Sequence, residues 1–279
     1  MKKIIIMCNG RTGSSFLTSH IKHKPKMTQY NAWEFFECWS PHFFKHVNYL
    51  AENNIPQPAS FIDFFTNYVI FTQSEDFQDR VQLKYNKKPY NIKMLDDFSK
   101  ILQSLGHKYF IHKHITHSSR LHGWNHSEII DIADCIVINY RTSLLDTWIS
   151  QTRANSANKW VTREYDAQYE NKIKWSKSSF MHNARKYKEN YVEIIKAVKE
   201  SGKPHFFINY EDFCKVNNRK KFLEKQFDDI GCTDIILQRS EIVKQSTSRE
   251  HYESCFDEET VEQFMEDYHE IKEMSRHEI

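Results

Sequence analysis

Residues Ile4 to Leu17 read Ile-Ile-Ile-Met-Cys-Asn-Gly-Arg-Thr-Gly-Ser-Ser-Phe-Leu, and this stretch constrains the fold more than any other. An unbroken apolar run suits a strand covered on both faces, which is the environment of a central parallel strand. The run stops at a Gly-containing loop, and hydroxyl residues then open a helix. That arrangement delivers backbone N–H groups and the positive end of a helix to an anion such as a phosphate or sulfate. The ATP-binding loop pattern requires Gly, four residues, Gly, Lys and then Ser or Thr. Counted back from Gly13, its first Gly falls on Cys8, and its Lys falls on Ser14. The cation that reaches the β- and γ-phosphates of ATP is therefore missing. Arg11, inside the loop, stands in as a cation whose forked guanidinium suits bidentate contact with a tetrahedral anion. With only 6 Gly in 279 residues, Gly10 and Gly13 are expected to answer a backbone requirement.

Further apolar runs repeat the theme. Strands are expected at Tyr109–His112, Asp134–Tyr140 and His205–Ile208, and the aromatic-rich segment around Trp33, Phe35, Phe36, Trp39, Phe43 and Phe44 is assigned no strand. Helical spacing or capping predicts helices at about 14–22, 60–69, 94–105, 143–154, 166–200, 219–230 and 257–274. Gly202 and Pro204 end the longest of these. Strands alternating with helices imply a P-loop-type three-layer α/β/α fold around a parallel sheet, as one domain over residues 1–279. A net charge of +2 excludes a strong electrostatic pull on nucleic acid. The six cysteines form no Cys-x-x-Cys pair, so a zinc ribbon or dithiol redox site is not supported, and Cys8 and Cys135 are expected as buried thiols. No stretch is long enough to span a membrane. The N-terminal apolar run ends at Cys8, too short for a secretory signal, and the expected location is the cytoplasm.

Sheets of this kind bind ligands at the carboxyl ends of their strands. The loop Arg11–Ser15, the pair Lys113 and His114, and Arg141 with Ser150 on the following helix would share one crevice. Two anion sites suggest a nucleotide carrying phosphates on both its 5′ and 3′ sides. Arg141 has an alternative use, as the partner of Asp146 or Glu211.

At these residues the chain resembles a family. Arg11-Thr12-Gly13-Ser14-Ser15-Phe16-Leu17 is similar to the 5′-phosphosulfate loop of sulfotransferases, and the segment from Tyr140 to Ser150 resembles their 3′-phosphate motif. The step from Arg141 to Ser150 is nine residues, as in the branch containing the mycobacterial trehalose 2-sulfotransferase and related bacterial sugar sulfotransferases. Trp33-Glu34-Phe35-Phe36 resembles the segment of that branch whose Glu is the general base. Asn209-Tyr210-Glu211-Asp212-Phe213 resembles a common strand end, and Lys244-Gln245-Ser246 a loop that closes on the nucleotide.

The resemblance implies 3′-phosphoadenosine 5′-phosphosulfate (PAPS) as donor and a sugar, glycolipid or other hydroxyl-bearing acceptor. It implies no metal, and it suggests a homodimer. Arg11, Thr12, Gly13, Ser14, Ser15 and Phe16 would hold the 5′ end, Arg141 and Ser150 the 3′-phosphate, with Lys244 and Gln245 closing over it. Lys113 could stabilise charge on the sulfuryl oxygens, and Glu34 or His114 could take the acceptor proton. Two other possibilities stay open: a P-loop small-molecule kinase, disfavoured by the absent Lys, and a relative that binds nucleotide without turnover.

Overall fold

The computed structural model describes residues 1–18, 20–21, 32–36, 108–116, 126–157, 172–233, 235, 237 and 252–277. Five strands form one sheet: β1 Lys2–Cys8, β2 Ala32–Phe36, β3 Tyr109–Ile115, β4 Cys135–Tyr140 and β5 His205–Asn209. All pairings are parallel, in the order β2-β3-β1-β4-β5. The helices are α1 Ser14–Thr18, α2 His126–Ile132, α3 Leu144–Ala157, α4 Lys177–Ser201, α5 Tyr210–Lys215, α6 Arg219–Asp229 and α7 Val261–Ile271. A 3₁₀ turn spans Tyr252–Cys255.

Alternation along β1 sends its side chains into two separate cores. Ile5 and Met7 pack with Phe110, Ile136 and Ile138 against Ile129 and Ile130 of α2 and Tyr191, Ile194 and Val198 of α4. Ile4 and Ile6 pack with Ile111 and Val137 against Leu17, Phe213, Leu223 and Phe227 from α1, α5 and α6. Helices therefore cover both faces of a parallel sheet, which is the expected three-layer α/β arrangement. A third cluster joins α3 and α7 to the start of α4 through Trp148, Trp175, Phe180, Phe256 and Phe264. No helix among the described residues is long and apolar enough to cross a membrane.

Several boundaries differ from the sequence expectations. β3 runs to Ile115, three residues past His112, because its pairing with β1 continues to Cys8↔Ile115. The segment Ala32–Phe36, assigned no strand from sequence, adds β2 alongside β3. The long helix begins at Lys177, not near Asp166: Ser176 caps it by accepting from the Ser179 amide, and Ile173 bridges to Phe256 instead. α1 ends at Thr18, short of Lys22, and Ile21 bridges to Leu237. The short helix α5, capped by Asn209 accepting from the Asp212 amide, was not foreseen. Cys8 and Cys135 are buried thiols, as expected. The helices expected at 60–69 and 94–105 lie outside the described residues.

Strand order places the candidate site. The chain fills one side of β1 with β2 and β3, then crosses to β4 and β5 on the other. The carboxyl ends of β1, β3 and β4 consequently border the point where the winding reverses, which is where such sheets open a crevice.

Candidate functional site

The loop after β1 is fixed from behind by hydrogen bonds. The Thr12 hydroxyl donates to the Asn9 carbonyl at 2.9 Å. Asn139, on β4, donates from Nδ2 to the Thr12 carbonyl at 2.9 Å and to its hydroxyl at 3.0 Å. The Asn9 amide donates to the Tyr191 hydroxyl at 3.3 Å, and that hydroxyl donates to the Asn139 carbonyl at 2.5 Å. Burial pushes the Tyr191 phenol well above its usual pKa, so it stays a neutral donor. Thr12 is thus spent on the loop's own shape. Among the described residues, none accepts from the amides of Gly13 or Ser14, and these are the anion donors the loop offers. Because α1 has only five residues, these local N–H groups matter more than a helix dipole.

The backbone requirement falls on Arg11 and Gly13, with φ of +64° and +76°, while Gly10 does not adopt positive φ. At Gly13 a second constraint applies. A Cβ there would lie 2.1 Å from Tyr210 Cδ2, so the Tyr210 ring occupies the space a side chain would need. Phe16 points into packing rather than at a ligand: its ring meets Tyr210, Phe213 and His20 edge-on. Ser14 is buried.

Arg11, Ser150 and Arg141 come together at one place. Arg11 Nε donates to Ser150 Oγ at 2.9 Å, joining the β1 loop to α3. Arg141 Nη1 donates to the Arg11 carbonyl at 3.4 Å. Arg141 also takes up the alternative open from sequence, with Nη2 at 3.4 Å from Asp146 and Nε at 3.4 Å from Glu211. Its guanidinium carbon sits 5.0 Å over the Tyr210 ring. Burial opposes the charge on Arg141, but Asp146, Tyr210 and Glu211 outweigh it and raise its pKa further. Glu211 completes the frame by accepting from the Thr142 and Ser143 amides, each at 3.0 Å.

Lys113 and His114 are strand residues, not loop residues, and the pleat sends them to opposite faces. Lys113, 3% exposed, continues the face of Tyr109 and Ile111 beneath α1. His114, 1% exposed, lies in a row of rings with His112 at 5.9 Å and His126 at 6.4 Å on the α2 side. Glu34 stands on β2 level with Ile111, which is level with Ile4 of β1. The β1 loop begins five residues further along, at Asn9, about 17 Å at a strand rise of 3.3 Å per residue. The register therefore does not bring the Glu34 backbone to the carboxyl edge. The side chains of Ser15 and Glu34, and all of Lys244 and Gln245, lie outside the described residues.

No family model matches the chain, and no curated protein matches its sequence. Among solved structures it is similar to a sulfotransferase from Alicyclobacillus acidocaldarius, at a TM-score of 0.40 and 12% identity over 100% of this chain and 97% of that one. A likeness of that size leaves the chemistry to the residues of the site itself.

Those residues include several that sequence inspection missed. Asn9, Thr116, Asn139, Asn190 and Tyr191 form the polar support behind the loop. Asn9 and Asn139 carried one available signal, since each is a polar residue at the carboxyl end of an apolar strand. Asn190 and Tyr191 carried none, because they lie deep within a long helix whose apolar face masks them.

Proposed function

We propose that this chain transfers a sulfuryl group from PAPS to a hydroxyl of a carbohydrate or glycolipid acceptor. One observation carries the reading: Arg11 of the Lys-less loop and Ser150 of the strand-end motif touch directly across the point where the sheet's winding reverses. A ligand bound there meets the Arg11 cation and the amide donors of the loop together with the Ser150 hydroxyl, with Arg141 immediately behind them. A β,γ-diphosphate would lack its usual Lys in this loop, whereas a 5′-phosphosulfate with a 3′-phosphate has a use for both halves.

In this reading the acceptor oxygen attacks sulfur in line, the S–O bond to the 5′-phosphate breaks, and adenosine 3′,5′-bisphosphate leaves with that bonding pair. The acceptor proton passes to a base, with Glu34 and His114 as the two candidates. Positioning and cationic stabilisation supply the rate, since charge stays spread over the sulfuryl oxygens. Arg11 and the Gly13 and Ser14 amides would hold the phosphosulfate, Lys113 would stabilise the sulfuryl charge, and Arg141 with Ser150 would take the 3′-phosphate.

Thermal shift with adenosine 3′,5′-bisphosphate against ATP plus Mg²⁺ tests the reading, because a ligand that binds the native state raises stability by mass action. Stabilisation by the bisphosphate is expected. Stabilisation by ATP–Mg²⁺ alone would replace the sulfotransferase with a kinase. Transfer of labelled sulfate from PAPS to a panel of sugars then separates an active enzyme from a binding protein.

A further inference from the structure

Behind the loop lies a chain of buried polar groups that ends at Asn9. His126 Nε2 is 3.1 Å from Asn190 Oδ1, and Asn190 Nδ2 donates to Asn9 Oδ1 and to Thr116 Oγ1, each at 2.5 Å. The Thr116 hydroxyl donates to Asn9 Oδ1 at 2.6 Å. Asn9, Thr116 and Asn190 are 5%, 0% and 4% exposed. The Asn9 oxygen thus receives two donors and is fixed in place, while none of the described residues accepts from its Nδ2. Leaving a buried donor unmet is costly, and such groups in native proteins call for an explanation.

The position of Asn9 supplies one. It is the first residue past β1, whose last residue Cys8 is level with Ile115 at the end of β3. Thr116, which holds the Asn9 oxygen, directly follows β3. Asn9 therefore stands on the β3 side of the loop, whereas Arg11 and Ser150 meet on the α3 side. The same residue also shapes the loop, since its carbonyl accepts from Thr12 and its amide is held by Tyr191. A neutral donor locked in orientation beside an anion cradle suits an oxygen of a tetrahedral oxyanion, because it need not reorganise as charge develops.

We propose that the Asn9 carboxamide donates a hydrogen bond to an oxygen of the tetrahedral anion held by the loop. On the function proposed above, which this inference deepens, that oxygen belongs to the transferred sulfuryl group. Asn190 and Thr116 are then positioning residues that act through Asn9.

The 279-residue chain carrying Asn9→Asp or Asn9→Ala tests the assignment, with inorganic sulfate, inorganic phosphate and adenosine 3′,5′-bisphosphate as probes in calorimetric titration. Asn9→Asp keeps the oxygen that Asn190 and Thr116 hold but replaces the donor with a second acceptor. Its affinity for inorganic sulfate and phosphate should fall at least tenfold, and further than that of Asn9→Ala, whereas the bisphosphate, which has lost the sulfuryl group, should be less affected. In the transfer assay kcat should fall while the acceptor KM stays unchanged, a split that loosened packing alone would not produce. Unaltered anion affinity in both variants overturns the proposal and leaves Asn9 a packing residue. Binding of sulfate and phosphate without the bisphosphate would sink the proposed function, while the Asn9 comparison still runs on the inorganic ions. Binding of none of the three by the unaltered chain overturns both.

Discussion

Replacing Gly13 with Ala should be among the costliest single-methyl changes in the protein, and the structure separates its two causes. The first is conformational: at φ +76° an L-residue costs about 1–2 kcal/mol. The second is steric. The new Cβ would sit 2.1, 2.3 and 2.9 Å from Cδ2, Cε2 and Cγ of Tyr210. That ring cannot swing away freely, because it is buried at the start of α5 and packed against Phe16, with Arg141 over it. Overpacking of this kind costs about 1–3 kcal/mol, for a total of about 2–5 kcal/mol. Gly202 provides the internal control, with φ +65° and nothing within 4 Å of its would-be Cβ. Gly202→Ala should therefore show the conformational cost alone. In urea melts of the two variants, Gly13→Ala should exceed Gly202→Ala by about 1–3 kcal/mol. In a Tyr210→Ala background that excess should vanish, as expected for groups in contact. Equal costs for the two glycines, or an excess that survives the loss of the Tyr210 ring, would refute the steric argument.

Two further expectations concern the acid–base groups. Glu34→Gln should lower sulfuryl transfer by about 10²-fold or more, the scale of general-base catalysis, and leave bisphosphate affinity within about twofold; unaltered turnover would remove Glu34 and pass the role to His114. For stability against pH, burial lowers the pKa of His20, which donates from Nδ1 to the Phe16 carbonyl, and of His277, whose ring packs on Tyr187 and Tyr191. The unfolded chain then binds more protons than the folded one below the ordinary histidine pKa of 6.5. Urea midpoints should accordingly hold steady above pH 6.5 and decline as the pH falls below it, and His277→Phe should make that decline shallower. A decline unchanged by that substitution would exclude His277 as its source.

Much of the scaffold was legible because it depends on neighbours in sequence. The run Ile4–Cys8 is apolar at every position, which only a strand covered on both faces tolerates, and it became the central strand. Gly202 ends α4 in the left-handed conformation with its amide on the Lys199 carbonyl, as its place before Pro204 suggested. The extents of the strands that carry Lys113 and Glu34 were harder to read. At the carboxyl edge of a parallel sheet polar residues are buried, so the change in polarity after His112 did not mark the end of β3. Likewise the helical spacing upstream of Ser176 says nothing of Ile173 pairing with Phe256.

From its own residues, then, the chain determined a parallel α/β sheet, a loop without the ATP-binding Lys, and a short set of cations able to meet an anion. Which of those groups meet was decided only in three dimensions. Arg11 and Ser150 are 139 residues apart, and Asn9 and Asn190 are 181 apart. Helix and strand periodicities reflect residues a few positions away, so a contact between groups at such separations leaves no trace in them. Strand order and helix packing bring Arg141 against Asp146, Glu211 and the Arg11 carbonyl, and leave Asn9 Nδ2 beside the loop without a partner among the described residues.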